Sequence, residues 1–204
     1  MLKIGVLASG RGSNLQSIID AIEDGYLKEV EIKVVISDNP QAQALQRAKD
    51  HGIAASLVNP ADFADKQEFE AAMLAELKAK EVELVVMAGF MRLLSPDFVK
   101  QYRNCVMNIH PSLLPAFKGL DAQKQALDYG VKVSGCTVHF ADEGMDTGPI
   151  ILQRTVEVKD DDTEDSLAAR ILAEEHKAYP EAIKLFSQDR LEVKEGKVYI
   201  DKSL

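Results

Sequence analysis

Short runs of β-branched and aliphatic residues alternate along this chain with stretches in which apolar positions recur every three to four residues. Lys3 to Leu7 reads as a buried strand. It gives way to Gly10-Arg11-Gly12-Ser13-Asn14 and then to a helix with Leu15, Ile18, Ile19 and Ile22 on one face and Gly25 at its C-terminal end. Glu31 to Ser37 predicts a second strand, Asn39-Pro40 a turn, Gln41 to Lys49 a helix and Ala54 to Val58 a short strand. Lys66 to Lys80 predicts a helix that turns Phe69, Met73 and Leu77 inward. Leu84 to Ala88 is continuously apolar, as a parallel strand covered on both faces should be. A helix over Ser95 to Tyr102, capped by Ser95 with Pro96 at its first position, leads to a fifth strand, Cys105 to Ile109.

Beyond His110 the pattern changes. A helix over Ala122 to Tyr129 precedes two strands, Ser134 to Phe140 and Ile150 to Val158, joined by a glycine-rich loop. A long helix starts at a Thr163 cap and is expected to bend or restart at Pro180; Leu191 to Leu204 reads as a hairpin around Glu195-Gly196. The repeated strand–helix order predicts an α/β fold: a doubly wound, mostly parallel, Rossmann-like sheet in three layers, with a small C-terminal β-hairpin. We expect one domain over residues 1–204, with a nucleotide-type half at 1–110 and a half at 111–204 carrying the catalytic loop, mixed strands and long helix.

With 204 residues, 46% of them hydrophobic and 28% charged, the chain can bury a core without a disulfide or metal. Its formal net charge of −9 argues against a nucleic-acid partner. An anionic small molecule would have to be held locally, by backbone N–H groups and a few cations. No apolar run reaches the roughly 20 residues of a membrane span, and glycine interrupts Met1 to Leu7 too early for a secretory segment. The expectation is a cytoplasmic protein with no membrane partner. Cys105 and Cys136, each between apolar neighbours, are expected to be small buried hydrophobes.

Three segments carry candidate chemistry. The strand–Gly-x-Gly-Ser-Asn–helix junction allows close approach of a ligand to backbone N–H groups at a helix start. Leu15 replaces the third glycine of a dinucleotide fingerprint, so a lone phosphate fits better than a pyrophosphate. The plainer reading is a tight turn with Ser13 as the N-cap. Asn108 and His110 stand two apart near the C-terminal end of a strand, hence on one face, where open α/β sheets place their ligands. An amide beside an imidazole can stabilise an oxyanion and manage a proton. In the loop Asp142 to Pro149, Asp142 and Glu143 alone would pass for a solvated acidic turn. Asp146 differs, because glycines frame it, and a carboxylate near His110 would favour the imidazolium by charge attraction. Spacing suggests no metal site among His51, His139 and His176, and Asp160-Asp161-Asp162 reads as helix-start acidity.

In order and spacing, Gly12-Ser13-Asn14, Ala88 to Leu94, Asn108 to Pro115 and Asp142 to Pro149 resemble the phosphoribosylglycinamide formyltransferase family, folate-dependent enzymes of purine synthesis. The Asn/His/Asp set is shared by several formyl-folate enzymes; the Gly-Ser-Asn loop and Glu174-Glu175-His176 narrow the resemblance. It implies transfer of a formyl group from 10-formyltetrahydrofolate, a co-substrate, to the amine of a glycinamide ribonucleotide through a tetrahedral oxyanion, with Asn108, His110 and Asp146 catalytic. It implies that Gly12, Ser13 and Asn14 bind the phosphate, and that Leu172, Ala173, Glu174 and Glu175 hold the glycinamide end. Lys66, Met91, Arg92, Leu93, Leu94, Asn108 and the loop Asp142, Glu143, Gly144, Met145, Asp146 are implied to bind the folate. Lys66 stands where the family often has an arginine; lysine keeps the charge but lacks the planar fork. Leu120-Asp121-Ala122-Gln123 lacks histidines found in some relatives, so Asp121 and Gln123 receive no role. No metal is implied, and a monomer or weak homodimer is expected. A formyltetrahydrofolate hydrolase would share the catalytic set and is expected to carry an extra N-terminal domain. A non-catalytic phospho-sugar binding module is the rival from another class.

Overall fold

A computed structural model describes residues 1–202. Seven strands form one mostly parallel sheet in the order β3-β2-β1-β4-β5-β6-β7, from Ala55–Leu57 (β3), Val30–Ser37 (β2), Leu2–Leu7 (β1), Leu84–Met87 (β4), Val106–His110 (β5), Val133–Phe140 (β6) and Ile150–Glu157 (β7). The chain falls into two compact units that meet in sequence between Met107 and Asn108.

In the first unit β1 pairs in parallel with β2 and β4, and β2 with β3. Ile4, Val6 and Leu7 of β1 and Leu84, Val85 and Val86 of β4 are wholly buried, as the continuous apolar runs required. Helix α1 (Ser13–Glu23) buries Leu15, Ile18 and Ile19, each such side chain worth about 1.5–3 kcal/mol of transfer free energy. Its N-cap is Gly12 in the left-handed region, at φ 71°, so Ser13 is the first helical residue and not the cap. The tightness of the turn decides this: a Cβ on residue 12 would lie 2.9 Å from Ala44 of α2 (Gln43–Asp50). Helices α3 (Lys66–Ala79) and α4 (Pro96–Gln101) start at Asp65 and Ser95, whose side chains accept from the N–H groups of Glu68 and Phe98.

In the second unit β6 and β7 run antiparallel, with an irregularity between Val138 and His139. Helix α5 (Ala122–Tyr129) packs on α6 (Glu164–Ser187), and α6 covers β6 and β7. Thr163 caps α6 through a reciprocal bond with Ser166. The helix does not restart at Pro180. It runs through, because Tyr179, Pro180, Ala182 and Ile183 are buried together, and that packing outweighs a missing bond and ring clash costing about 3 kcal/mol. Strands β8 (Leu191–Lys194) and β9 (Lys197–Ile200) form the expected hairpin; the part of it assigned to residues 203 and 204 lies outside the described residues. Cys136 is buried, which pushes its thiol up to about 12, and Cys105 is half-buried; both are unpaired thiols. No helix among the described residues is long and apolar enough to cross a membrane.

Candidate active site

Strand alternation places Met107 and Ile109 in the apolar core and turns Asn108 and His110 to the opposite face. His110 is 5% exposed. Its Nε2 lies 2.8 Å from the Phe117 carbonyl and its Nδ1 3.4 Å from Asp146 Oδ2. A carbonyl accepts only, so Nε2 carries a proton and donates to it. At the other ring nitrogen the Asp146 carboxylate stands at ion-pair distance.

The segment supplying the Phe117 carbonyl is fastened from below. Thr137, fully buried on β6, donates to Ser112 O and accepts from Leu114 N–H at 3.0 Å and Gln153 Nε2 at 2.9 Å. Ser112 Oγ donates to Ala116 O at 2.6 Å. Asp146 sits at φ 52°, and its Oδ2 also accepts from Gly119 N–H at 2.9 Å. Its loop closes on Asp142, whose Oδ1 accepts from Gly144 N–H and Thr147 Oγ1. A Cβ at Gly148 would fall 1.9 Å from Phe140 O, which only glycine avoids. Asp142 therefore shapes the loop that aims Asp146, beyond the solvated turn its sequence suggested.

Sequence reasoning missed His139. It is 2% exposed; burial lowers its pKa, so the ring is neutral near pH 7. Nδ1–H donates to the Phe140 carbonyl at 3.0 Å, leaving a lone pair on Nε2 that faces Asn108 Nδ2 at 3.4 Å. The lone pair fixes which way the Asn108 amide points and leaves that amide a second N–H to offer. The signal was a histidine near the C-terminal end of an apolar strand, the same cue that marked Asn108 and His110. The register irregularity at this residue, which re-aims its side chain, has no counterpart in the sequence.

Within the second unit, then, Asn108, His110 and Asp146 come together as expected, with His139 between Asn108 and Asp146. Leu172, Ala173, Glu174 and Glu175 form one turn of α6. Glu175 is buried, whereas Glu174 pairs with Lys177 at 2.6 Å, which lowers its pKa, and with Arg154 at 3.6 Å.

In the first unit, Phe63, Lys66, Phe69, Phe90, Arg92 and Leu94 line a cavity of about 510 Å³. Arg92 stacks over the Phe69 ring at 5.6 Å and pairs with Asp38 at 2.7 Å. Lys66 lies 3.6 Å from the buried carboxylate of Glu70, which accepts from Ser95. Leu94 is buried, while Met91 and Leu93 stay 71% and 50% exposed, an apolar wall left open. Phe69 was read only as an inward-facing helix residue, and Phe63 was given no role.

The family model described as formyl transferase matches residues 2–183. The chain is 49% identical over 182 residues to the trifunctional purine biosynthetic protein adenosine-3 of Drosophila melanogaster, covering 89% of this chain but only 14% of that protein. It is 43% identical over 184 residues to the phosphoribosylglycinamide formyltransferase of Bacillus subtilis (strain 168), covering 90% and 94% of the two chains. In structure it is similar to glycinamide ribonucleotide transformylase 1 from Symbiobacterium toebii, with a TM-score of 0.96, 50% identity and 98% and 94% coverage.

Proposed function

The chain belongs to the formyl transferase family, and on that premise we propose that it moves the formyl group of 10-formyltetrahydrofolate onto the amine of phosphoribosylglycinamide in purine biosynthesis. The observation that carries the reading is the cluster of buried His110 and His139 with half-buried Asn108 and Asp146. The neutral amine attacks the formyl carbon and its C=O bond opens to an oxyanion. The free N–H of Asn108 and the Nε2–H of His110 donate to that oxygen. The Phe117 carbonyl now holds the latter proton, so the formyl oxygen takes its place in the reacting complex. Asp146 keeps a carboxylate against the imidazolium. Through water, it carries the proton from the attacking nitrogen to the folate nitrogen as the C–N bond to folate breaks.

Gly12, Ser13 and Asn14 take the phosphate on backbone N–H groups at the start of α1, and Glu175 holds the glycinamide end. Met91 to Leu94 and Asp142 to Asp146 bind the folate. The charges of Lys66 and Arg92 are already partly engaged by Glu70 and Asp38, which makes them shared contacts rather than free anion sites.

The test is absorbance-monitored deformylation of 10-formyltetrahydrofolate by purified protein, with and without phosphoribosylglycinamide. Turnover that requires the ribonucleotide and vanishes in His110→Ala supports the transferase. Equal turnover without it identifies a hydrolase. No turnover, with retained phosphate binding, identifies a binding module.

A further inference from the structure

The turn between β1 and α1 has four successive carbonyls engaged. Ser9 O accepts from Asn39 Nδ2 at 2.9 Å, Gly10 O from Ala44 N–H at 3.2 Å, Arg11 O from Arg47 Nε at 2.8 Å and Gly12 O from Gln16 N–H at 2.9 Å. In a planar trans peptide the C=O of one residue and the N–H of the next point in opposite directions. Each of the N–H groups of Gly10, Arg11, Gly12 and Ser13 therefore points away from the partner that holds the preceding carbonyl.

Arg47 differs from the other three partners in bringing a charge, and in reaching the turn from α2 through a long side chain. Its Nη1 also donates to Gln16 Oε1 at 2.9 Å, which fixes the guanidinium plane between α2 and α1. Among the described residues no carboxylate is paired with Arg47 in an ion pair. Its charge acts on the Arg11 carbonyl instead. A cation on a peptide oxygen polarises that peptide and strengthens its N–H as a donor; here that N–H belongs to Gly12.

We propose that Arg47 is a positioning residue for the phosphate end of the substrate: it sets the direction and the donor strength of the Gly12 N–H without touching the substrate itself. This rests on the reading of the Gly12–Asn14 turn as a phosphate site. A merely structural tie would hold α2 to α1 and affect stability and both substrates alike. A positioning role affects the phosphate alone.

The experiment follows inorganic phosphate by amide chemical shifts of Gly12 and Ser13, and steady-state kinetics with both substrates varied. In the unaltered protein, phosphate shifts these amides and competes with the ribonucleotide. In Arg47→Met, phosphate affinity falls and the ribonucleotide KM rises, each on the order of tenfold, the scale of one charge-assisted hydrogen bond. KM for the formyl folate and kcat stay within about twofold, inside the scatter of a remote surface change. Arg47→Lys, which keeps the charge but can serve one acceptor at a time, falls between. Should Arg47→Met not fold, Gln16→Leu frees the guanidinium plane and must give a smaller loss in the same direction.

Unchanged phosphate affinity in these variants overturns the proposal, and so does an equal loss for both substrates with a lowered Tm. Phosphate binding that depends on Arg47 without ribonucleotide turnover leaves the proposal standing and removes the transferase reading. Turnover whose ribonucleotide KM ignores Arg47 does the reverse.

Discussion

At the β1–α1 turn of the first unit the groups proposed for the phosphate belong to the backbone, whereas around His110 in the second unit the groups proposed for the chemistry are side chains. The β1–α1 turn offers peptide N–H groups, aimed by tying four carbonyls and by a left-handed glycine. The centre around His110 offers an imidazole, a carboxylate and an amide, each aimed by a neighbour: Phe117 O and Gly119 N–H, and the neutral ring of His139. The difference fits the role proposed for each. Holding a fixed anion needs static donors, which any sequence has if its fold exposes them, and the chain needs only the right glycine. Moving a proton and meeting a charge that appears only in the transition state needs groups with two protonation states, kept out of water. Those come only from side chains, at the cost of burying polar atoms.

Four substitutions separate the two regions. The largest effect is expected at His110: His110→Ala loses one oxyanion donor and about 10²–10³ in kcat, with ribonucleotide KM little changed. A rise in KM with kcat intact would break the comparison. Next comes Gly12→Ala, which meets both φ 71° and the 2.9 Å approach of Ala44. It should raise ribonucleotide KM more than it lowers kcat, and cost about 1–2 kcal/mol of stability from the left-handed backbone alone. Denaturant unfolding beside kinetics reads both. Thr163→Ala, at the α6 cap, removes the reciprocal bond with Ser166. About 1 kcal/mol, or a Tm drop of about 2–4 °C, should appear with both KM values unmoved; a kinetic change would tie the cap to the chemistry.

The smallest effect concerns His139, whose pKa burial lowers from its ordinary value. The unfolded state takes up a proton near pH 6.5 that the folded state refuses until lower pH. Between those two values stability falls as pH falls, and below the folded value this contribution levels off. In His139→Asn the slope of unfolding free energy against pH should lessen in that window. An unchanged slope would mean that the ring is not held neutral.

Much of this was readable along the chain. Continuous apolar runs gave β1 and β4 as buried parallel strands, and Ser95-Pro96 and Thr163 marked helix starts to the residue. Asn108, His110 and Asp146 stood out because strand ends and glycine-framed loops leave few plainer uses for such residues. The plainer alternative of Ser13 as a cap fails because capping preference is local, while the packing of α2 on the turn involves residues some 30 positions away in sequence, such as Ala44. A restart at Pro180 fails for the same reason: its cost is local, and the burial that offsets it is not.

The sequence by itself therefore determined the order of strands and helices, the glycines that the turns require and the residue types able to do the chemistry, because periodicity and backbone sterics act over a few residues. Tertiary structure alone decided that His139 orients the Asn108 amide, that Phe117 offers its carbonyl to His110 and that Arg47 reaches the Arg11 carbonyl. Each of these is a hydrogen bond between segments 7 to 36 residues apart, and its geometry exists only once separate elements have packed.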